Sequence, residues 1–414
     1  MRCPMRASRS RPAAGPARRA IRALALVGML VAGCTVPPEG PPTLSLRPVD
    51  YASLAGWASD PVSTMLPALL RQCRRRALLP ADASLGGAGA ARAAGGKAAD
   101  WTPFCRAAQW VPAGDDAAAR RVIAAWLQPY EVSDRSDADA RFTGYFEPEY
   151  PGALSEDATH RVPVYRRPPD LLTVRAPPPA GGTVTGRASG GVVVPYWTRA
   201  QIDGGALAGR GLEIAWLADP VDLFFLQLQG AGRVRLPSGQ IVRLGYAGRN
   251  GIAYVPLGRL LVAQGELPSD GVSMQSIRAW LATHPAQART VMEQNPNYVF
   301  FRSLDDLRPD QGPPGALGVD LQPLRSVAVD RAFLPLAAPV WIDTVQSDGR
   351  ALQRLTLAQD LGTDINGPAR ADIFFGWGPE AAREAGGMHA GGRLVVLLPR
   401  PPAGAGPTGT AARS

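Results

Sequence analysis

The stretch AQDLGTDINGPARADIFFGWG, residues 358–378, alternates short apolar runs with a Gly-rich turn and holds Asp360, Asp364 and Asp372. Asp372 leads straight into Ile373, Phe374 and Phe375, and a carboxylate beside such a run is costly to bury. Outward from it, LRSVAVDRAF, APVWIDTV, LQRLTLAQD, ADIFFGW and GRLVVLLPR repeat one pattern: short apolar strands joined by Gly and Pro turns, with no long helix between. That pattern argues for a compact barrel rather than a parallel α/β sheet. Asp330, Asp360 and Asp372 each follow or sit in a strand pattern, so a closed barrel could gather them at one rim. A carboxyl group partly desolvated by Phe374, Phe375 and Trp377 has a raised pKa and can serve as a general acid near neutral pH. The chain has only 3 histidines, so carboxyl groups are its natural source of proton chemistry. The plainer alternative is that a strand-end Asp caps a turn. It suits Asp330 and Asp360 better than Asp372, and Asp364 reads as a solvated turn residue.

Composition limits the other classes of function. The 414 residues suffice for two or more domains with real cores, and 46 Gly and 41 Pro favour turn-rich β structure. The formal charge of +9 is concentrated: seven arginines and no acid fall in residues 1–34, leaving 37 basic against 35 acidic residues. The QCRRRA cluster at 72–77 is short and lacks interleaved aromatics, so no nucleic-acid partner is expected.

Residues 1–34 read as a signal segment, with a basic stretch to Arg22 and then ALALVGMLVA (23–32), too short to span a bilayer. LVAGC resembles a lipobox, with cleavage before Cys34 and acylation of its thiol; an ordinary signal with an incidental Cys is the alternative. A lipid on Cys34 would anchor the protein to a membrane without a transmembrane helix. Residues 35–49 read as an extended, Pro-rich tether. Cys73 and Cys105 remain, and in an exported, oxidising space they suggest one disulfide, two buried free thiols being the alternative. No metal site is expected, because His160, His284 and His389 lack ligand spacing to a Cys.

Along the chain, 50–80 and 115–130 look helical, and SLGGAGAARAAGGKAA (84–99) reads as a flexible loop. GRVRLPSGQIVRLGYAG (232–248) reads as a hairpin around PSGQ. One helix interrupts the β pattern, SMQSIRAWLATHP (273–285), with Ser273 as N-cap and an Ile277, Trp280, Leu281 stripe. The tail 401–414 reads as disordered.

Together, FTGYFEP (142–148), DPVDLFFLQLQGAGRVRLPSG, GYAGRNGIAYVPLGRLL, SMQSIRAWLATHP, QNPNYVFFR and the run from SVAVD through AQD to ADIFFGWGPEAAREAGGMHAGG resemble, in order, the membrane-bound lytic transglycosylase A family of bacterial cell-wall turnover. The resemblance covers about 140–400. It implies a mainly β fold: a double-psi β-barrel from residues 50–149 plus 294–400, interrupted by an inserted, barrel-like β-domain at 150–293, with a few flanking helices. It implies non-hydrolytic cleavage between N-acetylmuramic acid and N-acetylglucosamine, leaving a 1,6-anhydromuramoyl end. Asp372 matches the family's catalytic acid, and Asp330 and Asp360 its companions. Thr143, Gly144, Tyr145, Gln229, Gly230, Tyr246 and Asn250 are the substrate-binding candidates. No cofactor is implied. The partners are glycan strands and, through Cys34, a membrane, with room for other cell-wall enzymes. Thr35 is not the Asp often linked to inner-membrane retention, so the expected location is the outer membrane, facing the periplasm. Where the family usually has DxGGAIKG, this chain has DLGTDING, placing Thr363, Asp364 and Asn366 near the acid. A glycan-binding lipoprotein without catalysis and a hydrolase using two carboxylates are the alternatives.

Overall fold

A computed structural model describes residues 42–134, 139–175, 182–270, 272–362 and 365–400, which belong to one compact unit. Cys34, the signal segment, Thr363, Asp364 and the tail 401–414 lie outside the described residues.

The described strands, numbered along the chain, fall into three sheets. The first holds β1 (Leu44–Pro48), β2 (Leu127–Asp134), β3 (Ala140–Glu147), β13 (Ser326–Val329), β14 (Pro339–Val345), β15 (Ala351–Asp360), β16 (Arg370–Trp377) and β17 (His389–Pro399). The second holds β4 (Glu149–Ala153), β5 (Val162–Tyr165), β9 (Glu213–Leu217), β10 (Ala231–Arg235), β11 (Ile241–Arg249) and β12 (Val299–Ser303). The third is a small sheet of β6 (Leu172–Arg175), β7 (Thr183–Ser189) and β8 (Val192–Val194).

The first sheet runs β1-β2-β17-β14-β15-β13-β16-β3, and β3 returns to pair with β17. Strands β17, β14, β15, β13, β16 and β3 therefore close into a ring, which removes exposed sheet edges. Within it β13–β15 and β16–β3 are parallel pairs, while the other pairings are antiparallel. The ring strands are near-continuous apolar runs because they are covered on both faces. Val327, Trp341, Leu355, Ile373 and Leu397 share one core with Leu69, Phe104 and Ile123 of the N-terminal helices Leu66–Ala77, Thr102–Ala108 and Asp116–Trp126. Asp115 caps the last of these by accepting the Ala118 N–H at 2.8 Å. Cys73 and Cys105 are bonded to each other, tying the first helix to the second with a Cα–Cα separation of 5.7 Å.

The second sheet runs β12-β11-β10-β4-β9-β5 and carries its own apolar clusters, one around Leu226, Val234, Leu244 and Phe301 and one around Phe224, Phe225, Leu261 and Trp280. β10 and β11 form the expected hairpin, and Ser273 caps the helix Met274–Thr283.

Five expectations need correction. Within the supposed tether 35–49, residues 44–48 form β1, an edge strand on β2 that Pro48 ends. The insertion was expected to stop at 293, yet β12 at 299–303 pairs with β11 of the second sheet, because Phe300 and Phe301 bury there. Helices Pro220–Gln229, Leu257–Ala263 and Pro285–Glu293 join the one expected between the strands of the second sheet. The flexible loop 84–99 contains the helix Gly89–Gly95, whose small residues let it lie against Trp101; a Cβ on Gly95 would sit 2.9 Å from that indole. Helix 116–126 also stops before 130, where Pro129 sits in β2.

The two large sheets meet at a buried charge cluster. Glu147, at the end of β3, accepts from Arg233 Nε at 3.0 Å and from Arg243 Nε at 3.0 Å, and all three side chains are almost wholly buried. Arg233 and Arg243 stand opposite each other across the β10–β11 hairpin. Burial raises the Glu147 pKa, and the two guanidiniums work against that rise. Removing one member of such a group leaves an uncompensated charge inside the protein. Glu147→Ala is therefore expected to lower unfolding free energy by about 3–5 kcal/mol in urea titrations; a loss under ~1 kcal/mol would mean the sheets are held together by something else.

Candidate active site

Asp372 stands opposite Thr143 in the parallel β16–β3 ladder, and the Thr143 hydroxyl donates to Asp372 Oδ1 at 2.7 Å. Two residues on, Tyr145 stands opposite Phe374 on the same face, with ring centroids 5.2 Å apart. The Tyr145 hydroxyl donates to Asp360 Oδ2 at 3.0 Å. On the far side of β16, Ala328 of β13 pairs with Asp372 and also with Asp360 of β15. Two strand spacings thus separate the aspartates, about 10 Å between backbones.

Both carboxyls are partly buried, and their ionised forms are poorly solvated. The pKa of Asp372 is pushed up from 3.8 to about 6, chiefly by burial, against the Thr143 hydrogen bond and the charge of Arg370, with a small further rise from Asp360. Asp360 is also pushed up to about 6 by burial, against hydrogen bonds from the Leu361 amide, Tyr145 and the Ala316 amide. Tyr145 is held neutral, its pKa raised by burial and by both carboxyls. The apolar strand behind Asp372, with Ile373 and Phe374 almost fully buried, keeps a proton on the acid up to about pH 6.

Asp330 has a different job. Its Oδ1 accepts the Ala332 N–H and its Oδ2 the Gly367 N–H, each at 2.9 Å. It therefore holds the backbone just ahead of β16, and so the approach to Asp372.

The binding candidates separate. Thr143 and Tyr145 are at the carboxyls. Gly144 lies between them, and a Cβ there would come within 2.7 Å of Ala385 Cα, so its bareness lets the helix Gly378–Gly387 lie on β3. Gln229 ends the helix Pro220–Gln229 and accepts the Phe146 N–H of β3 at 3.2 Å, bringing the inserted sheet to this strand. Gly230 caps the same helix in the left-handed conformation, φ 73°. Tyr246 is half exposed in a groove with Arg167, Thr173, Thr185 and Arg249. Asn250 does not fit the binding role: it is fully buried, its Nδ2 donates to Trp197 O and Pro296 O, and its Oδ1 accepts from Tyr298 N and Ile252 N. With every polar valence used, it is a loop anchor. Asn366 lies in the segment leading to β16, while its neighbours Thr363 and Asp364 are outside the described residues.

Sequence reading missed Glu147, Arg233 and Arg243. The signal was present: a hairpin around PSGQ places the two arginines face to face, which demands an acid. Arg233 also stacks on Trp377, 4.4 Å from the ring centre, so the cluster fixes the indole that follows the apolar run.

Comparison with known proteins agrees with this architecture. The MltA specific insert domain family matches residues 141–302, and the 3D domain family matches 325–398. Membrane-bound lytic murein transglycosylase A of Escherichia coli (strain K12) is 32% identical over 306 residues, 72% of this chain and 75% of the relative. The crystal structure of a membrane-bound lytic murein transglycosylase from Agrobacterium tumefaciens superposes with a TM-score of 0.76 at 34% identity, covering 86% of this chain and 98% of that one. The structure of E. coli MltA with bound chitohexaose gives a TM-score of 0.61 at 25% identity, over 87% of this chain and 95% of the other.

The raised acid carries a stability cost of definite sign. Between pH ~4 and ~6 the folded protein keeps a proton on Asp372 that the unfolded chain has released, so stability falls as pH rises through that window and the cost is complete above about 6. Asp372→Asn removes it. Thermal melts should show the variant stabilised by ~1–3 kcal/mol at pH 7.5 and unchanged at pH 4; equal melting points at both would place the carboxyl in ordinary solvent.

Proposed function

Because the chain belongs to the membrane-bound lytic murein transglycosylase A family, we propose that it cleaves the β-1,4 bond between N-acetylmuramic acid and N-acetylglucosamine in peptidoglycan without water, and that Asp372 does the proton work. The observation that carries this reading is Asp372, raised to about 6 by burial and held by one side-chain hydroxyl at 2.7 Å, whereas Asp360, raised likewise, is also tied to two backbone amides. Thr143 occupies Oδ1, which leaves Oδ2 to carry the proton.

The step balances without a second catalytic carboxylate. Asp372 gives its proton to the glycosidic oxygen as the C1–O bond breaks, so the departing N-acetylglucosamine leaves with a free 4-hydroxyl. The C6 hydroxyl of the same muramoyl residue closes on C1, and its proton passes to the Asp372 carboxylate. The acid is regenerated and the product carries a 1,6-anhydro ring. An internal nucleophile has an effective concentration that bulk water cannot match, which is why one carboxyl suffices where hydrolases use two. Thr143 orients the acid. Asp360, when ionised, raises the Asp372 pKa slightly, and its hydrogen bond from the Tyr145 hydroxyl makes it a positioning residue.

A hydrolase would need Asp360 to activate water. Its carboxylate already takes hydrogen bonds from Tyr145 and backbone amides, which disfavours that role. The chitohexaose bound to the E. coli relative supports a glycan strand as the ligand. The sheet ring with two parallel pairs supports the double-psi description of the catalytic barrel. Acylation of Cys34 would place the barrel on the outer membrane facing the periplasm, within reach of other cell-wall enzymes.

Digestion of purified peptidoglycan tests the reading. Wild-type protein should release anhydro-ended muropeptides, and Asp372→Asn should lose release by at least about 10³-fold while still sedimenting with the glycan. Reducing-end products would mean hydrolysis. Because the donor form is protonated, kcat/KM should fall as pH rises through about 6; a rate that keeps climbing to pH 8 contradicts Asp372 as the acid.

A further inference from the structure

A second cavity lies away from the carboxyls. It is a cleft of about 540 Å³ whose wall includes Arg71, Arg308, Arg325, Arg354, Asp310 and Asp320. Arg354 and Asp360 lie on the same strand, six residues apart, which is about 20 Å of extended chain.

The charges in this cleft are unequally committed. Arg325 is bound bidentately to buried Asp60, with both contacts at 2.8 Å, so it forms a rigid floor. Arg308 pairs with Asp310 at 3.1 Å. Asp320 accepts from Gln311 Nε2 at 2.7 Å. Arg71 Nε is buried and has no acceptor among the described residues, lying 3.9 Å from Asp320 Oδ2, too far for a hydrogen bond. The Arg354 side chain makes no hydrogen bond or ion pair among the described residues, although it is partly buried beside Arg325. Burial and the neighbouring Arg325 guanidinium weaken its hold on its proton, and the charge of Asp60 works against them. A cation kept in that position with no carboxylate in hydrogen-bond contact is a cost, and an arriving carboxylate would relieve it.

The wall opposite is fixed in advance. Arg233 and Arg243, already bound to Glu147, also donate to the carbonyls of Pro309, Arg308 and Gln311 at 3.0–3.2 Å, so the loop bearing Asp310 and Gln311 is anchored from behind. With Arg325 neutralised by Asp60, the cleft offers three guanidiniums against two carboxylates. That balance suits a singly charged anion carrying N–H donors, and disfavours a phosphate dianion, which Asp310 and Asp320 would repel.

We propose that this cleft binds the free carboxylate end of a peptide stem carried by the glycan strand, with Arg354 and Arg71 on the carboxylate and Asp310 and Asp320 taking N–H groups of the same stem. The inference rests on peptidoglycan being the substrate. A four-residue stem reaches about 14 Å, and the sugar carrying it need not be the one cleaved, so a strand lying across Asp372 and Asp360 can present a stem from a neighbouring sugar to the cleft.

Calorimetric titration of the intact protein with a soluble stem tetrapeptide tests the idea. The peptide should bind, the same peptide amidated at its C-terminus should bind at least tenfold more weakly, and Arg354→Gln should lose the distinction between the two. Equal binding of free and amidated peptide by the wild-type protein would overturn the proposal, as would inorganic phosphate displacing the peptide at equal concentration. In turnover, Arg354→Gln should raise KM several-fold on stem-bearing strands and leave stem-free strands unchanged; equal effects on both would also overturn it. Absence of any product from either strand would count against the catalytic reading and leave the peptide titration standing.

Discussion

The structure depends on one strand pairing at both of its edges. β3 lies parallel to β16 on one side and antiparallel to β17 on the other, which closes the ring. Nearly every feature of the site is a consequence of that position. Thr143 is set opposite Asp372, Tyr145 opposite Phe374, Gly144 beneath the helix Gly378–Gly387, and Glu147 against the two arginines of the inserted sheet. Eight residues thus connect barrel closure, acid geometry and attachment of the second sheet. A one-residue slip would turn Thr143 and Tyr145 to the opposite face and undo all three.

Buried carboxyl groups in this molecule are handled in three ways, and the difference decides their chemistry. Glu147 is matched by two guanidiniums and works as a fastener. Asp330 is matched by backbone amides and works as a clip on the chain entering β16. Among the described residues, Asp360 and Asp372 meet neutral hydroxyls and amides in their closest contacts, too little to offset their burial, so their proton affinity rises. Loss of solvation without a compensating cation separates an acid that can give up a proton at neutral pH from one that is merely structural.

What could be read from the sequence was local. The short apolar runs of the C-terminal third became β13 to β17, the PSGQ turn became a hairpin, and Ser273 became a helix cap. These follow from side-chain periodicity and turn chemistry, which neighbouring residues carry. Helix Pro220–Gln229 had its signals too, Asp219 before Pro220 and Gly230 after, but the largely apolar VDLFFLQLQ hid its period because it is buried on most of its faces. β1 was missed because a Pro-rich edge strand lacks any signal until β2 is there to receive it. The proximity of Asp360 to Tyr145 spans 215 positions and was not legible from residue types alone. Asn250 misled for a related reason: an Asn in a Gly-rich turn looks available for ligands, and only tertiary contacts reveal that four backbone groups already claim it.

The edge strand β1 changes the mechanical setting of the whole molecule. Leu44 is already locked into the barrel through its pairing with Asp134. Should Cys34 bear the lipid, ten positions rather than fifteen separate it from the barrel, a reach of at most about 35 Å. A body of this size on so short a leash cannot roam; it would sweep a thin shell above the bilayer and meet only the layer of polymer nearest that surface.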